Sequence, residues 1–576
     1  MKRVTLSTLA ALAVITMAAC GGNGAPPSPV VTVSPATANV QEGATQQFTA
    51  TVSNTNSTAV SWQVNGVAGG NAAVGTISST GLYTAPAVIP SPASVTVTAV
   101  LQSNSAITGN AIVTITAVQF SNSSLKGNYV FSLSGIDLNG NAFYAVGTVT
   151  ADGNGNITAG EEDLNDVSLG YAQTTSITGT YSVNADGRGT LNLSSSLGNF
   201  SYAFAIRALN NAGLNEIDNQ VINATGNLEF QSSGITTPSG SYAFGFAGSS
   251  SGCGPLNSDG ILGLGSGGAV SGQQDVNCGG TITQTQALSG TYGAADGLGR
   301  GTGTFSASTG TSDIVYYAVS PGRFRFICSD STTFFLGSAD LQTQNTFAGT
   351  DINGSYVINT SANTLAGVSY TLIQLNATGG SVSTGYYDVN DTGSVNSASL
   401  TGAYSVASNG RVGGSFTVNS ATLPFAMYMF SPTQGYYLDE RTNVVGGGNV
   451  YAQGASVTSN AAWAGSYATK QFGYVVIAGR ILPSNSTSVS GQISADGNGT
   501  LAGTLDFNDP VGVVTNQTLQ GNYSVGNVAP GRLTASISTS AEGTRNYVGY
   551  VVDQTRVLLL ETDNNLVSAG DAIRQF

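Results

Sequence analysis

The chain contains no histidine, and only 8% of its residues are charged. Without histidine, Ser-His-Asp and Cys-His nucleophiles are excluded, as are the commonest zinc-ligand sets. A charged fraction so far below the usual quarter leaves too few Glu, Lys and Arg to clothe amphipathic helices. Beyond the first twenty residues no apolar run is long enough to cross a bilayer as a helix. Four cysteines in 576 residues are too few for a disulfide-built scaffold. What remains is 77 glycines, a 41% hydrophobic fraction, and abundant Ser, Thr, Val and Tyr. That fraction is enough to build cores, and the length exceeds a single one. Short strands joined by tight turns fit this composition, so the expected class is all-β. The net charge of −14 gives a surface that repels nucleic acid, and no nucleic-acid partner is expected.

Residues 1–20 begin with Lys2 and Arg3, continue through an apolar run from Leu9 to Met17, and end in Ala18-Ala19-Cys20. A basic start, a short apolar stretch and a small-residue site are the parts of a signal peptide. The cysteine directly after two alanines resembles the lipobox of bacterial lipoproteins. That resemblance implies export, acylation of Cys20 and a lipid-bilayer anchor, with Gly21 in place of a retention Asp directing the protein to the outer membrane or cell surface. Residues 21–29 form a Gly/Pro/Ser tether.

Residues 30–117 alternate as strands: Val31-Thr-Val33, Phe48-Thr-Ala50, Val60-Ser-Trp62-Gln-Val64 and Val95-Thr-Val97. Six or seven short strands around Trp62 suit a two-sheet sandwich. With Gly81-Leu82-Tyr83-Thr84-Ala85-Pro86 near its end, this stretch resembles the bacterial immunoglobulin-like (group 2 type) modules of surface proteins. The resemblance implies a spacer or an adhesive tip.

The remainder repeats itself. Gly-x-Tyr opens four copies at Gly127, Gly240, Gly354 and Gly465, spaced 113, 114 and 111 residues apart. A second Gly-x-Tyr lies mid-copy at Gly179, Gly290, Gly402 and Gly521, and each copy closes on a glutamine, Gln231, Gln342, Gln453 or Gln575. The expected repeats are residues 125–231, 239–342, 353–453 and 464–576. Eight strand signals per copy, with Asp-Gly-x-Gly turns, predict an antiparallel meander that removes its edges by closing into a barrel. The opening motif loosely resembles that of lipocalin and avidin-like barrels, an analogy of architecture. Alternating strands apolar on both faces, such as Phe200–Ile206 and Phe425–Phe430, imply that neighbouring barrels pack together.

Three features recur among the polar residues. Each copy carries Asp-apolar-Asn after its third strand: Asp163, Asn165 and Asp166; Asp275 and Asn277; Asp388, Asn390 and Asp391; Asp506, Asn508 and Asp509. Such oxygen-rich clusters can coordinate calcium, and acids near the seventh strand's end (Glu216, Asp330, Asp439, Glu561) share that end of a meander. The competing reading is strand-ending Asx turns. An arginine enters each fifth strand (Arg188, Arg300, Arg411, Arg532), fitting a structural ion pair or stacking on tyrosine better than an anionic ligand. Glu161-Glu162-Asp163 is the densest carboxylate group for acid–base chemistry, but copies two and three have Gln273-Gln274 and Tyr386-Tyr387 before the Asp.

The three cysteines beyond Cys20 all lie in copy two. Cys253 and Cys278, both in Cys-Gly loops, are the expected disulfide, with Cys253–Cys328 the rival pair. The function expected is therefore non-enzymatic: surface display, adhesion to a glycan or protein partner, or envelope structure. Small-ligand binding inside the barrels is the alternative, and a glycan-acting enzyme comes third.

Overall fold

A computed structural model describes residues 27–137, 139–208, 211–218, 222–526 and 528–576. The leader, Cys20 and most of the tether lie outside the described residues. The chain divides into two compact units, one ending at Thr116 and one beginning at Ala117. Among the described residues no helix is long and apolar enough to cross a membrane.

The first unit consists of small sheets. Thr108–Thr116 pairs in parallel with Thr37–Gln41 and antiparallel with Ser94–Leu101, which pairs in turn with Val60–Val64. A four-stranded sheet contains Thr45–Gln47 and Leu82–Thr84. Alternation along these strands buries Phe48, Trp62, Tyr83, Val97 and Val113 in one core. Gly81 has φ +85°, and a Cβ there would meet the Phe48 carbonyl and the Trp62 ring. The glycine before Leu82-Tyr83 is thus required by backbone conformation and by close packing alike.

The second unit consists of four closed antiparallel barrels of eight strands each. Their first and last strands are Lys126–Asp137 and Ile222–Phe230, Gly240–Ser250 and Thr333–Leu341, Gly354–Thr364 and Val444–Ala452, and Ala464–Ile477 and Leu566–Arg574. Barrel one breaks its fourth strand into Gly170–Thr174, paired with the third, and Thr178–Val183, paired with the fifth.

The repeat landmarks are the closure points. Each opening tyrosine pairs across the closing ladder with the residue before the terminal glutamine: Tyr129 with Phe230, Tyr242 with Leu341, Tyr356 with Ala452 and Tyr467 with Arg574. The glutamine's own N–H then donates to Asn128, Ser241, Ser355 or Ser466. The mid-copy tyrosines reach back to the chain that enters each barrel. Tyr181 donates to the Leu125 carbonyl, Tyr292 to Pro238, Tyr404 to Ile352 and Tyr523 to Trp463.

The interiors are filled by these tyrosines and by apolar side chains from alternate strand positions. Cavities inside barrels two and three measure about 20 and 10 Å³, room for roughly one water.

Apolar outer faces join neighbouring barrels. Val130 and Val146 pack on Val315, Tyr317 and Ile327 between barrels one and two. Ala243 and Ile261 pack on Ala426, Tyr428 and Leu438 between two and three. Tyr370 and Leu372 pack on Val548, Tyr550 and Leu560 between three and four.

Tyr404→Phe tests the pin at the barrel's end. It strands the Ile352 carbonyl, whose bond from the tyrosine hydroxyl is 2.7 Å long and buried. Urea unfolding should show a loss of about 1–2 kcal/mol with no change in far-UV spectrum.

Candidate functional site: the seams and the central chamber

Strand alternation sends the first Asp of each Asp-apolar-Asn motif outward, toward the next barrel, where it meets the recurring arginine. Arg300 of barrel two grips Asp163 of barrel one with two bonds of 2.7 and 2.8 Å. Arg411 donates to Asp275 at 2.6 Å, and Arg532 grips Asp388 at 2.7 and 3.0 Å. The fourth pair runs back to the start, because Arg188 of barrel one lies 3.3 Å from Asp506 of barrel four. The barrels therefore form a closed ring.

Two further contacts repeat at all four seams. The motif's asparagine amide donates to the end of the next barrel's seventh strand: Asn165 to Cys328, Asn277 to Asp439, Asn390 to Glu561 and Asn508 to Glu216. The closing glutamine donates across to Ala318, Met429, Val551 or Ile206. Its amide sits where a Cβ on the glycine before each arginine would project. Gly299 shows this with φ +90° and Gln231 Nε2 2.6 Å from that position.

The seams are not equal. Tyr317 and Tyr550 donate hydroxyls to Asp163 and Asp388 at 2.5 and 2.6 Å. The residue opposite Arg188 is Ala205, where barrels two to four place Tyr317, Tyr428 and Tyr550. Arg188 instead divides itself between Asp186, Asp506 and Asn516. On the strands that meet at this seam Ser486, Thr487, Ser488 and Ser490 are buried, as is Asn215, both of whose amide atoms lack a partner. The fourth seam is polar where the other three are apolar.

This arrangement differs from the calcium cluster expected from the sequence. Asp163, Asp275, Asp388 and Asp506 are each neutralised by a guanidinium, which opposes a cation. Asn165, Asn277, Asn390 and Asn508 turn their amides to carbonyls of the next barrel. Asp166 and Asp509 accept backbone N–H groups of their own turns, and Asp391 accepts the Thr364 hydroxyl. The strand-seven acids Glu216, Asp439 and Glu561 lie in register with Tyr202, Phe425 and Tyr547. Those three partners line barrel interiors, on the opposite face of the sheet from the seam aspartates. Among the described residues no three His, Cys, Asp or Glu gather to hold a metal ion. Glu161 and Glu162 are likewise split by the pleat, and burial pushes each up to about 7. Cys253 and Cys278 are joined, with Cα atoms 5.6 Å apart, and Cys328 is a buried free thiol.

Where the four barrels meet lies a chamber of about 610 Å³, lined by all of them. An adjoining cavity of about 270 Å³ shares Asn227, Arg325, Tyr436 and Lys470 with it. Six cations line the chamber wall, Arg207, Arg323, Arg325, Lys470, Arg556 and Arg574, against the carboxylates Glu229, Asp340 and Asp571. Glu229 accepts from Arg325 at 2.6 Å and Arg323 at 3.2 Å, Asp340 from Arg323 at 2.7 Å, and Asp571 from Arg207 at 2.9 Å. Burial raises Glu229, but Arg325 and Arg323 outweigh it and hold it below the usual carboxylate range. Lys470 has no carboxylate in contact; its ammonium donates to the Gly226 carbonyl and to Asn227. Burial, then Arg207, pulls it down to about 8.

None of these chamber residues was singled out from the sequence: Arg323 and Arg556 share one position in copies two and four, and no other chamber cation recurs in a second copy. A weak signal existed in the eighth strands. The positions four and two before the closing glutamine, Asn227 and Glu229, Ser338 and Asp340, Asn449 and Tyr451, Asp571 and Ile573, are mostly polar on what should be a packed strand.

Compared with known proteins, the chain matches no family model and no curated protein.

Asp388→Ala leaves Arg532 and Tyr550 without their buried acceptor and should cost roughly 3–5 kcal/mol in chemical unfolding. Asp506→Ala should cost clearly less, because Arg188 keeps Asp186 and Asn516. Equal losses would contradict the difference between the seams. A second test concerns Glu561, which is buried and, with Asp563 beside it, pushed up to about 9. A carboxyl whose folded pKa is raised binds more protons folded than unfolded between about 4.5 and 9, so it lowers stability as pH rises through that window. Glu561→Gln should leave melting unchanged at pH 4 and raise it by a few degrees at pH 8.

Proposed function

We propose that this protein is an exported, lipid-anchored, non-enzymatic surface protein that holds a rigid ring of barrels at the outer membrane or cell surface. One observation carries the reading: the polar residues that recur in every copy are engaged in joining the barrels. A recurring catalytic unit would keep its carboxylates free in a cleft. Here the repeated Asp, Arg, Asn and Gln are spent on seams, which is what an architectural array requires.

The resemblance of residues 1–20 to a lipoprotein leader supports the anchor at Cys20, and an oxidising compartment suits the Cys253–Cys278 bond. We read the N-terminal sheets around Trp62 as an immunoglobulin-like spacer module. Packed interiors favour this display role over ligands held inside individual barrels. A surface glycan or protein is the class of partner such a display would meet.

Cys20→Ser should shift the protein from the membrane to the soluble fraction, and protease added to intact cells should remove the wild-type protein. A variant that remains membrane-bound would overturn the anchor. Full protection from protease in intact cells would overturn the surface location.

A further inference from the structure

Only 16 residues of the whole chain are Lys or Arg, yet six of them converge on one chamber with three carboxylates. In a protein of net charge −14, this leaves a positive pocket inside a negative molecule. Ring assembly does not account for all of it. Arg207, Arg323 and Arg325 bridge neighbouring barrels through Asp571 and Glu229, and Arg556 lies over the Tyr451 ring at 4.4 Å while donating to its hydroxyl. Lys470 is different, a cation held partly buried with only neutral acceptors in contact. Holding it there costs desolvation that Asp571, its cross-strand neighbour, and Glu229 offset only in part, without touching it. The pocket is also rich in groups suited to hydroxyls. Asn227, Asn359, Asn449, Gln434 and Gln471 line it, and the Asn359 and Gln471 carbonyl oxygens are buried without a donor. Tyr436 and Tyr451 supply aromatic surface in the same wall.

We propose that the central chamber binds a small acidic saccharide, its carboxylates or sulfates meeting Lys470, Arg325 and Arg556 and its hydroxyls meeting the amides. The volume is in the range of small-molecule sites and admits about two or three sugar rings. An anion supplies the direct charged contact that Lys470 lacks, and hydroxyl donors satisfy the stranded Asn359 and Gln471 oxygens. The inference does not depend on how the protein is anchored or where it is displayed.

The test is calorimetric titration of the full chain with trigalacturonate, neutral maltotriose and inorganic tripolyphosphate, at low and at physiological salt. Trigalacturonate should bind, more weakly as salt rises, and maltotriose should not. Lys470→Gln should weaken binding at least tenfold and Lys470→Arg should restore it. Arg480→Gln, which removes an exposed cation outside the chamber, should leave binding unchanged. Equal binding of maltotriose, unchanged affinity in Lys470→Gln or failure of Lys470→Arg to rescue would overturn the proposal. Binding of tripolyphosphate without trigalacturonate would overturn the saccharide assignment. Melting of Lys470→Gln at the wild-type temperature distinguishes lost contact from lost fold.

Discussion

The carboxylate–guanidinium pair between one barrel's third strand and the next barrel's fifth is the contact on which the second unit is organised. Desolvating an isolated Asp would be prohibitive, and each of Asp163, Asp275 and Asp388 is almost wholly shielded from water. The pair is tolerable because the partner arginine is fixed in position. A glycine of positive φ precedes it, and the neighbour's closing glutamine fills the space that glycine leaves. Asp, Arg, Gly and Gln thus form one device, and the apolar faces around it can then pack at a single register. Specificity comes from the charge and adhesion from the apolar surface.

Much of this was readable in advance, for identifiable reasons. Strand alternation and Asp-Gly turns are local signals, and the eight strands per copy that they indicate are the strands that close each barrel. Gly-x-Tyr and the closing glutamine repeat because barrel closure demands them, so repetition exposed the positions without revealing the task. The broken fourth strand of barrel one carries no comparable mark. Nor does the partner of Asp163: Arg300 lies 137 residues away, and only the order of barrels around the ring brings them together. The chamber was illegible for the opposite reason. Lys470 stands where the other barrels have Ser132, Gly245 and Asn359, so a search for recurrence passes over it.

That contrast separates two kinds of polar residue in one molecule. Those repeated four times serve the framework common to all copies. Those that occur once can serve only a place where the copies differ, and the axis of a ring is where four non-identical surfaces face one another. A symmetric ancestor would present four equal walls. This chain presents Glu229, Asp340, Tyr451 and Asp571 on neighbouring eighth strands, and the resulting pocket is asymmetric in charge.

The polar seam between barrels four and one bears on how the ring closes. Were that interface to form between separate molecules, buried serines and a divided arginine would give it little affinity. Within one chain the other three seams already hold the two surfaces within reach, at an effective concentration of about millimolar or higher. Weak complementarity is then sufficient for the fourth seam to form. The closing seam is thus held in place largely by the other three, and Arg207 of barrel one meets Asp571 of barrel four beside it on the chamber wall.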